Sequence, residues 1–269
     1  MTGSTAGFTL AKSIFTRIPC RPVRTDAAAV GWAMTWAALV GAIVGAVAAA
    51  VYTLARLPLP SWSTRLLPAA LAVAATAAIS GGLHLDGLAD SADALGVRGD
   101  PEAVRAAMKA PGIGAFGAAA LALVLLVDVS AISLAGDFRL AVTALVTGSV
   151  AGRLAVTWAC RPGVAAATDT GLGAWVAGTV PSRRALFATA YALVIVGGWA
   201  ALWRRHDPVP VAALAGTAVV AGVLAGEAVR RLVVRRSGGL TGDVLGAVVE
   251  CAAMTAYVVI ALAAHAATS

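Results

Sequence analysis

Charge is what this chain has least of. Of its 269 residues only 12% are charged, while 60% are hydrophobic and the mean hydropathy is +0.88. A soluble domain carries about a quarter charged residues and just under half apolar ones. Half the usual charge cannot cover the surface of a water-soluble globule of this size. Disorder, a collagen-like fibre and a nucleic-acid-binding domain are excluded with it, despite an isoelectric point near 10.2. Cysteine is also scarce: Cys20, Cys160 and Cys251 are odd in number, far apart and form no C-x-x-C pair. That removes a disulfide framework and a zinc site, and leaves each as a small apolar filler. The three histidines, His84, His206 and His265, are scattered, and only His84 has chemically interesting neighbours. No internal repeat is visible.

What the chain does have is long apolar runs. A helix needs about 20 residues to cross a bilayer. Seven stretches meet this: 28–54, 66–83, 113–135, 140–160, 186–203, 209–229 and 244–266. The fold class is therefore all-α: a polytopic membrane bundle of about seven transmembrane helices, forming one integral-membrane domain over residues 1–269. Abundant Gly and Ala suit close helix packing in lipid. The stretch from Phe8 to Ile18 is too short and too basic to span. It is read as an interfacial or re-entrant helix, with a disordered tail as the alternative. It is not a cleavable signal, because its apolar run is too short and the next one too long.

Basic residues orient these spans. Of the 20 Lys and Arg, 14 fall before span one and between spans two and three, four and five, and six and seven. The other side holds five, Arg56, Arg65, Arg139, Arg204 and Arg205, and Arg153 lies inside span four. The positive-inside rule then predicts a multi-pass protein of the inner (plasma) membrane, with its N-terminus in the cytoplasm and its C-terminus outside. Its basic loops would face anionic lipid headgroups or phosphorylated substrates. The sequence does not fix the oligomeric state, and a homo-oligomer is compatible with it.

Acidic residues number only 13, so their placement carries information. Asp86, Asp90 and Asp93 stand at i, i+4 and i+7 and share one face of a helix. Three carboxylates on one face repel unless a cation sits among them, and hard oxygen ligands suit Mg²⁺. Asp100 follows as a fourth acid, and a solvated acidic loop with aspartate caps is the plain alternative. His84 would point the other way on a continuous helix and needs a bend near Gly81-Gly82 or Gly87 to join the site. Gly112-Ile-Gly114-Ala-Phe-Gly117 opens span three. It spells a dinucleotide fingerprint without the strand that motif requires. A glycine-rich helix start can still offer amide N–H groups to phosphate, and close helix packing explains it equally well.

Ser237-Gly238-Gly239-Leu-Thr241-Gly242-Asp243 leads into span seven, where glycines would let the backbone curl around an anion. Asp243 is read as a site residue, with a helix cap as the alternative. Glu250 lies seven residues on, roughly 10 Å deeper at 1.5 Å per residue. An ionisable group inside a span is a functional candidate, and Glu250 either lines the site or pairs with Arg153. Arg153 and Arg161 suit diphosphate recognition, whereas Arg183 and Arg184 follow from the positive-inside bias alone. Asp128, toward the outer end of span three, is read as structural. All of these site features fall on one face of the membrane.

Gly81-Gly-Leu-His-Leu-Asp-Gly-Leu-Ala-Asp-Ser-Ala-Asp93, Gly112 to Gly117, Gly238-Gly-Leu-Thr-Gly-Asp-Val-Leu-Gly-Ala247 and the leading Phe15-Thr-Arg-Ile-Pro19 resemble the cobalamin synthase family, the adenosylcobinamide-GDP ribazoletransferases. The motifs run in order over nearly the whole chain. Two departures are Ala110-Pro111, where the family often has polar residues, and the Ala-rich stretch after Arg161-Pro-Gly163. The resemblance implies Mg²⁺-dependent attack by a ribose hydroxyl of α-ribazole, or of its 5′-phosphate, on adenosylcobinamide-GDP, releasing GMP. It implies metal ligands among Asp86, Asp90, Asp93 and Asp243. It leaves the base among the carboxylates and His84, and substrate contacts among Gly112, Gly114, Gly117, Arg153, Arg161, Gly238, Gly239, Thr241, Gly242 and Glu250. Two other readings stay open. A CDP-alcohol phosphotransferase would carry Asp-Gly-x-x-Ala-Arg, a pattern this chain leaves at Asp90. A transporter would place its ionisable groups near the midplane on broken helices.

Overall fold

Small residues dominate the chain, and the structure, a computed structural model, answers them with helices. It describes residues 3–21, 24–59, 65–203 and 208–266, so Arg204, Arg205 and His206 lie outside the described residues. In order the helices are α1 (Gly3–Phe15), α2 (Ala27–Thr35), α3 (Ala37–Arg56), α4 (Leu66–Ser80), α5 (Leu83–Gly96), α6 (Pro101–Met108), α7 (Ala115–Ser133), α8 (Phe138–Ala159), α9 (Gly171–Val176), α10 (Ser182–Trp203), α11 (Pro208–Ser237) and α12 (Gly242–Ala266). Among the described residues there is no strand, only an isolated parallel bridge between Ala166 and Leu240.

Six helices, α3, α7, α8, α10, α11 and α12, are long and apolar enough to cross a membrane. The count reaches seven when α4 and α5, bent by 91°, are taken as one broken span. The all-α polytopic bundle read from the sequence is thus the fold, with three adjustments. The long first stretch divides at Trp36 into α2 and α3. The sixth continues to Ser237, so Arg230, Arg231, Arg235 and Arg236 ride on the last turns of α11 instead of a loop. The N-terminal segment is α1, docked on the bundle with Leu10, Ala11 and Phe15 buried.

Helix α8 is the axis of the molecule. Its most apolar window is 94% buried, against 28% for α7, α10 and α11. Lipid offers no hydrophobic drive between helices, so close backbone approach has to hold them. Gly41 and Gly45 of α3 lie against Val146 and Ser149 of α8, and Gly152 of α8 lies against Val249 of α12. Gly222 of α11 meets Ala252 of α12 in the same way. Leu123, Leu126, Val194, Leu224 and Leu262 face outward, as lipid-facing side chains should.

The feature that builds a site is the turn from α4 into α5. Gly81 and Gly82 have φ of 64° and 74°. In that left-handed region a residue with a β-carbon loses roughly 1–2 kcal/mol. Two successive glycines there let the chain swing by 91°, taking α5 and its aspartates out of the direction of span two.

Candidate active site

Asp86, Asp90 and Asp93 follow that bend on α5, and the start of α12 is laid against them. Contact is possible because both helices present glycine. A β-carbon on Gly87 would come within 2.8 Å of the Asp243 carbonyl oxygen, and one on Gly246 within 2.9 Å of the His84 carbonyl oxygen. Gly87 therefore serves as a helix contact, and the bend falls at Gly81-Gly82. Thr241 caps α12: its Oγ1 accepts the Val244 N–H at 3.2 Å and sits 3.3 Å from Asp243 Oδ2. With the cap supplied by Thr241, the Asp243 carboxylate is available to the site.

Two cavities meet there. One, of about 390 Å³, has Asp86, Asp243, His84, Thr241 and Gly242 in its wall. The other, of about 990 Å³, has Asp86, Asp90 and Gly112. Asp86 belongs to both. Burial, then the charges of Asp86, Asp243 and Asp93, push the Asp90 carboxyl up to about 6. Like charges held this close resist joint ionisation.

Asp86 and His84 both lie on the continuous helix α5, and the bend at Gly81-Gly82 precedes them. No bend between the two is needed, and His84 stands with Asp86 in the wall of the smaller cavity. Its ring is buried, stacks on Phe15 with centroids 6.0 Å apart, and places Nδ1 3.4 Å from Arg153 Nη2. A guanidinium only donates, so Nδ1 is the acceptor. The ring proton of the neutral imidazole then resides on Nε2, which is buried without a protein partner.

Other residues singled out by sequence are engaged elsewhere. Asp93 accepts the Gly114 N–H at 2.7 Å and the Gly117 N–H at 2.8 Å, so the amides expected to face phosphate are taken by a carboxylate that anchors the start of α7. Gly238 and Gly239 line neither cavity. Gly238 turns the chain at φ 77°, and Gly239 packs on Ala166 and Ala167 beside the bridge. Arg161 lies over Trp158 and 3.6 Å from Glu227, which also holds Arg230 and Arg231. Arg153 and Glu250 sit behind His84 with Asp128 and Tyr257, around a small cavity of about 20 Å³. Arg153 thus reaches the site only through His84.

Sequence reasoning missed the cations of the cavity walls. Lys109 lines both cavities, Arg105 the smaller and Arg17 the larger. In the sequence, the orientation of the spans already accounts for Lys109 and Arg105, and no motif marks them as site residues. For Arg17 the signal was its place in Phe15-Thr-Arg-Ile-Pro19.

Carboxylates and cations thus converge where α4 ends and α7 and α12 begin, which defines an integral-membrane protein with a phosphate-suited polar site at its helix ends. The chain belongs to the cobalamin-5-phosphate synthase family, whose model matches residues 7–261. Similar curated proteins carry the name adenosylcobinamide-GDP ribazoletransferase. One from Frankia casuarinae is 38% identical over 201 residues, 73% of this chain and 72% of the relative. One from Pseudomonas syringae is 38% identical over 208 residues, 76% and 79% of the two chains. One from Corynebacterium efficiens is 34% identical over 211 residues, 74% and 71%. No solved structure matches the chain.

Proposed function

We propose that this chain is an adenosylcobinamide-GDP ribazoletransferase acting at the cytoplasmic face of the plasma membrane. A ribose hydroxyl of α-ribazole, or of its 5′-phosphate, attacks the phosphorus of adenosylcobinamide-GDP that carries the cobinamide. A P–O bond forms, the P–O bond to GMP breaks, and GMP leaves with the bonding electrons. The products are adenosylcobalamin, or its 5′-phosphate, and GMP. The observation that carries this reading is the meeting of Asp86 and Asp243, far apart in sequence, in one cavity wall with Arg105 and Lys109. The gathering of acids at helix ends favours it over a transporter, and the family over a CDP-alcohol phosphotransferase.

Phosphoryl transfer asks mainly for alignment and for neutralised charge. Arg17, Arg105 and Lys109 offset the diphosphate charge from the cavity walls. His84, with Nδ1 held by Arg153, donates from Nε2 to a substrate oxygen, and a carboxylate of the α5 set takes the hydroxyl proton.

The residues fit Mg²⁺. All donors are hard oxygens, and a divalent cation would relieve the repulsion among Asp86, Asp90 and Asp243, which comes after burial among the causes that raise the Asp90 carboxyl. Among the described residues no three acidic, His or Cys side chains are grouped closely enough to hold a metal alone. Mg²⁺ takes one or two carboxylates and completes its shell with water and substrate phosphate. Asp86, which stands in both cavity walls, would hold it together with either Asp90 or Asp243, with Asp93 fixing α5 to α7. When bound, it supplies charge neutralisation at the transferred phosphorus and departing GMP.

The test is GMP release from adenosylcobinamide-GDP and α-ribazole by the purified protein. Activity should vanish with EDTA and return with Mg²⁺, and Asp90→Asn should lose most turnover while purifying normally. Full activity in EDTA would overturn the metal reading, and full activity in Asp90→Asn would remove that residue from the site.

A further inference from the structure

We infer that the two cavities are separate substrate compartments: the smaller takes the aromatic base of the ribazole, and the larger the guanylyl diphosphate. This rests on the transferase reading above. The cavities differ in chemistry. The smaller is walled by Phe15, Met34, Val156, Leu172, Leu245 and Val249. The larger is walled by Ser13, Thr16, Arg17, Ser80 and Asp90. Asp86 and Lys109 stand in both walls and mark where the two meet.

In-line displacement places the attacking and leaving oxygens on opposite sides of the phosphorus. Two cavities abutting at a carboxylate and a lysine provide that arrangement: one reactant enters from each side and the phosphorus lies at the boundary. Chemistry then decides the occupant. A benzimidazole is a flat, apolar ring system that gains about 25 cal/mol for each Å² removed from water. About 390 Å³ falls within the range of small-molecule pockets. A guanylyl diphosphate is anionic and larger, and needs the roomier polar cavity with Arg17. The smaller cavity also has a polar side, Arg105, Thr168 and Thr170, which suits the ribose or its 5′-phosphate. Arg105 is steadied there by donating to the Ser237 carbonyl at 2.8 Å. Bond making and breaking are those given above, with GMP released into the larger cavity.

The test measures KM for each substrate in three variants. Leu172 borders only the smaller cavity and Arg17 only the larger. Leu172→Trp should raise KM for α-ribazole at least ten-fold and leave KM for adenosylcobinamide-GDP within two-fold. Leu172→Ala removes the same contact without crowding, covers the case in which the tryptophan prevents folding, and should shift the same constant. Arg17→Ala should do the converse. If wild-type protein releases no GMP, the transferase reading itself fails. If wild type is active but the effects are reversed, or fall equally on both substrates, only the compartment assignment is overturned.

Discussion

Capping of α12 falls to Thr241, whose Oγ1 accepts the Val244 N–H. The neighbouring Asp243 carboxylate is therefore not needed to start the helix, and the two residues should separate cleanly in experiment. Asp243→Ala should suppress GMP release about as severely as Asp86→Ala, and the double variant should lose little more, because removing one of two cooperating groups already disables their shared step. Thr241→Val should instead lower stability by about 1 kcal/mol, read by thermal unfolding in detergent. Near-normal turnover in Asp243→Ala would take it out of the site. At this scale the acids were legible because they are rare: three aspartates at helical spacing stand out among so few. The cations were not, since the orientation of the spans already accounts for any basic residue near a cytoplasmic end. The pairing of Arg153 with His84 was hidden too, because it joins residues from α8 and α5 that no spacing rule connects.

Helix α7 begins where Asp93 of α5 takes two of its amide protons. Hydrogen bonds to a charged group contribute about 1.5–3 kcal/mol each, less where water competes. Asp93→Ala should therefore cost roughly 2 kcal/mol of stability by thermal unfolding. The Mg²⁺ concentration that half-activates the enzyme should stay unchanged, and a large rise in it would return Asp93 to the metal. The glycine pattern from Gly112 to Gly117 was legible as a helix start, but its partner was not. Which element supplies the anion depends on α5 swinging through Gly81-Gly82, and the sequence indicates that such a bend is allowed without saying how far it goes. The same holds for Gly87, offered as a hinge and used instead for the approach of α12.

Across the whole molecule, the run of apolar stretches gave the fold class and six of the seven spans, because lipid demands long helices whatever their packing. The stretch 66–83 is the 15-residue α4, which counts as a span only together with α5. The arrangement of the spans around α8 was not readable: small residues occur on every helix, and pattern alone does not say which faces meet. Orientation is testable directly. In a background with Cys20, Cys160 and Cys251 replaced, a cysteine beside Arg139 should react with an impermeant maleimide added to intact cells, and one beside Arg98 should not. The reverse pattern would invert the charge-based topology.

The central helix has a consequence for biogenesis. Arg153 lies within α8, and it shares a small cavity with Asp128 of α7 and with Glu250 and Tyr257 of α12. An arginine at the middle of a membrane helix costs about 2.5–3.5 kcal/mol to insert. Asp128 of α7 precedes α8 in the chain and Glu250 of α12 follows it, so the arginine has one carboxylate at hand as it inserts and gains the second only when α12 docks. The helix that brings Glu250 also delivers Asp243. A nascent protein therefore completes its interior and its active site in the same step, the docking of α12.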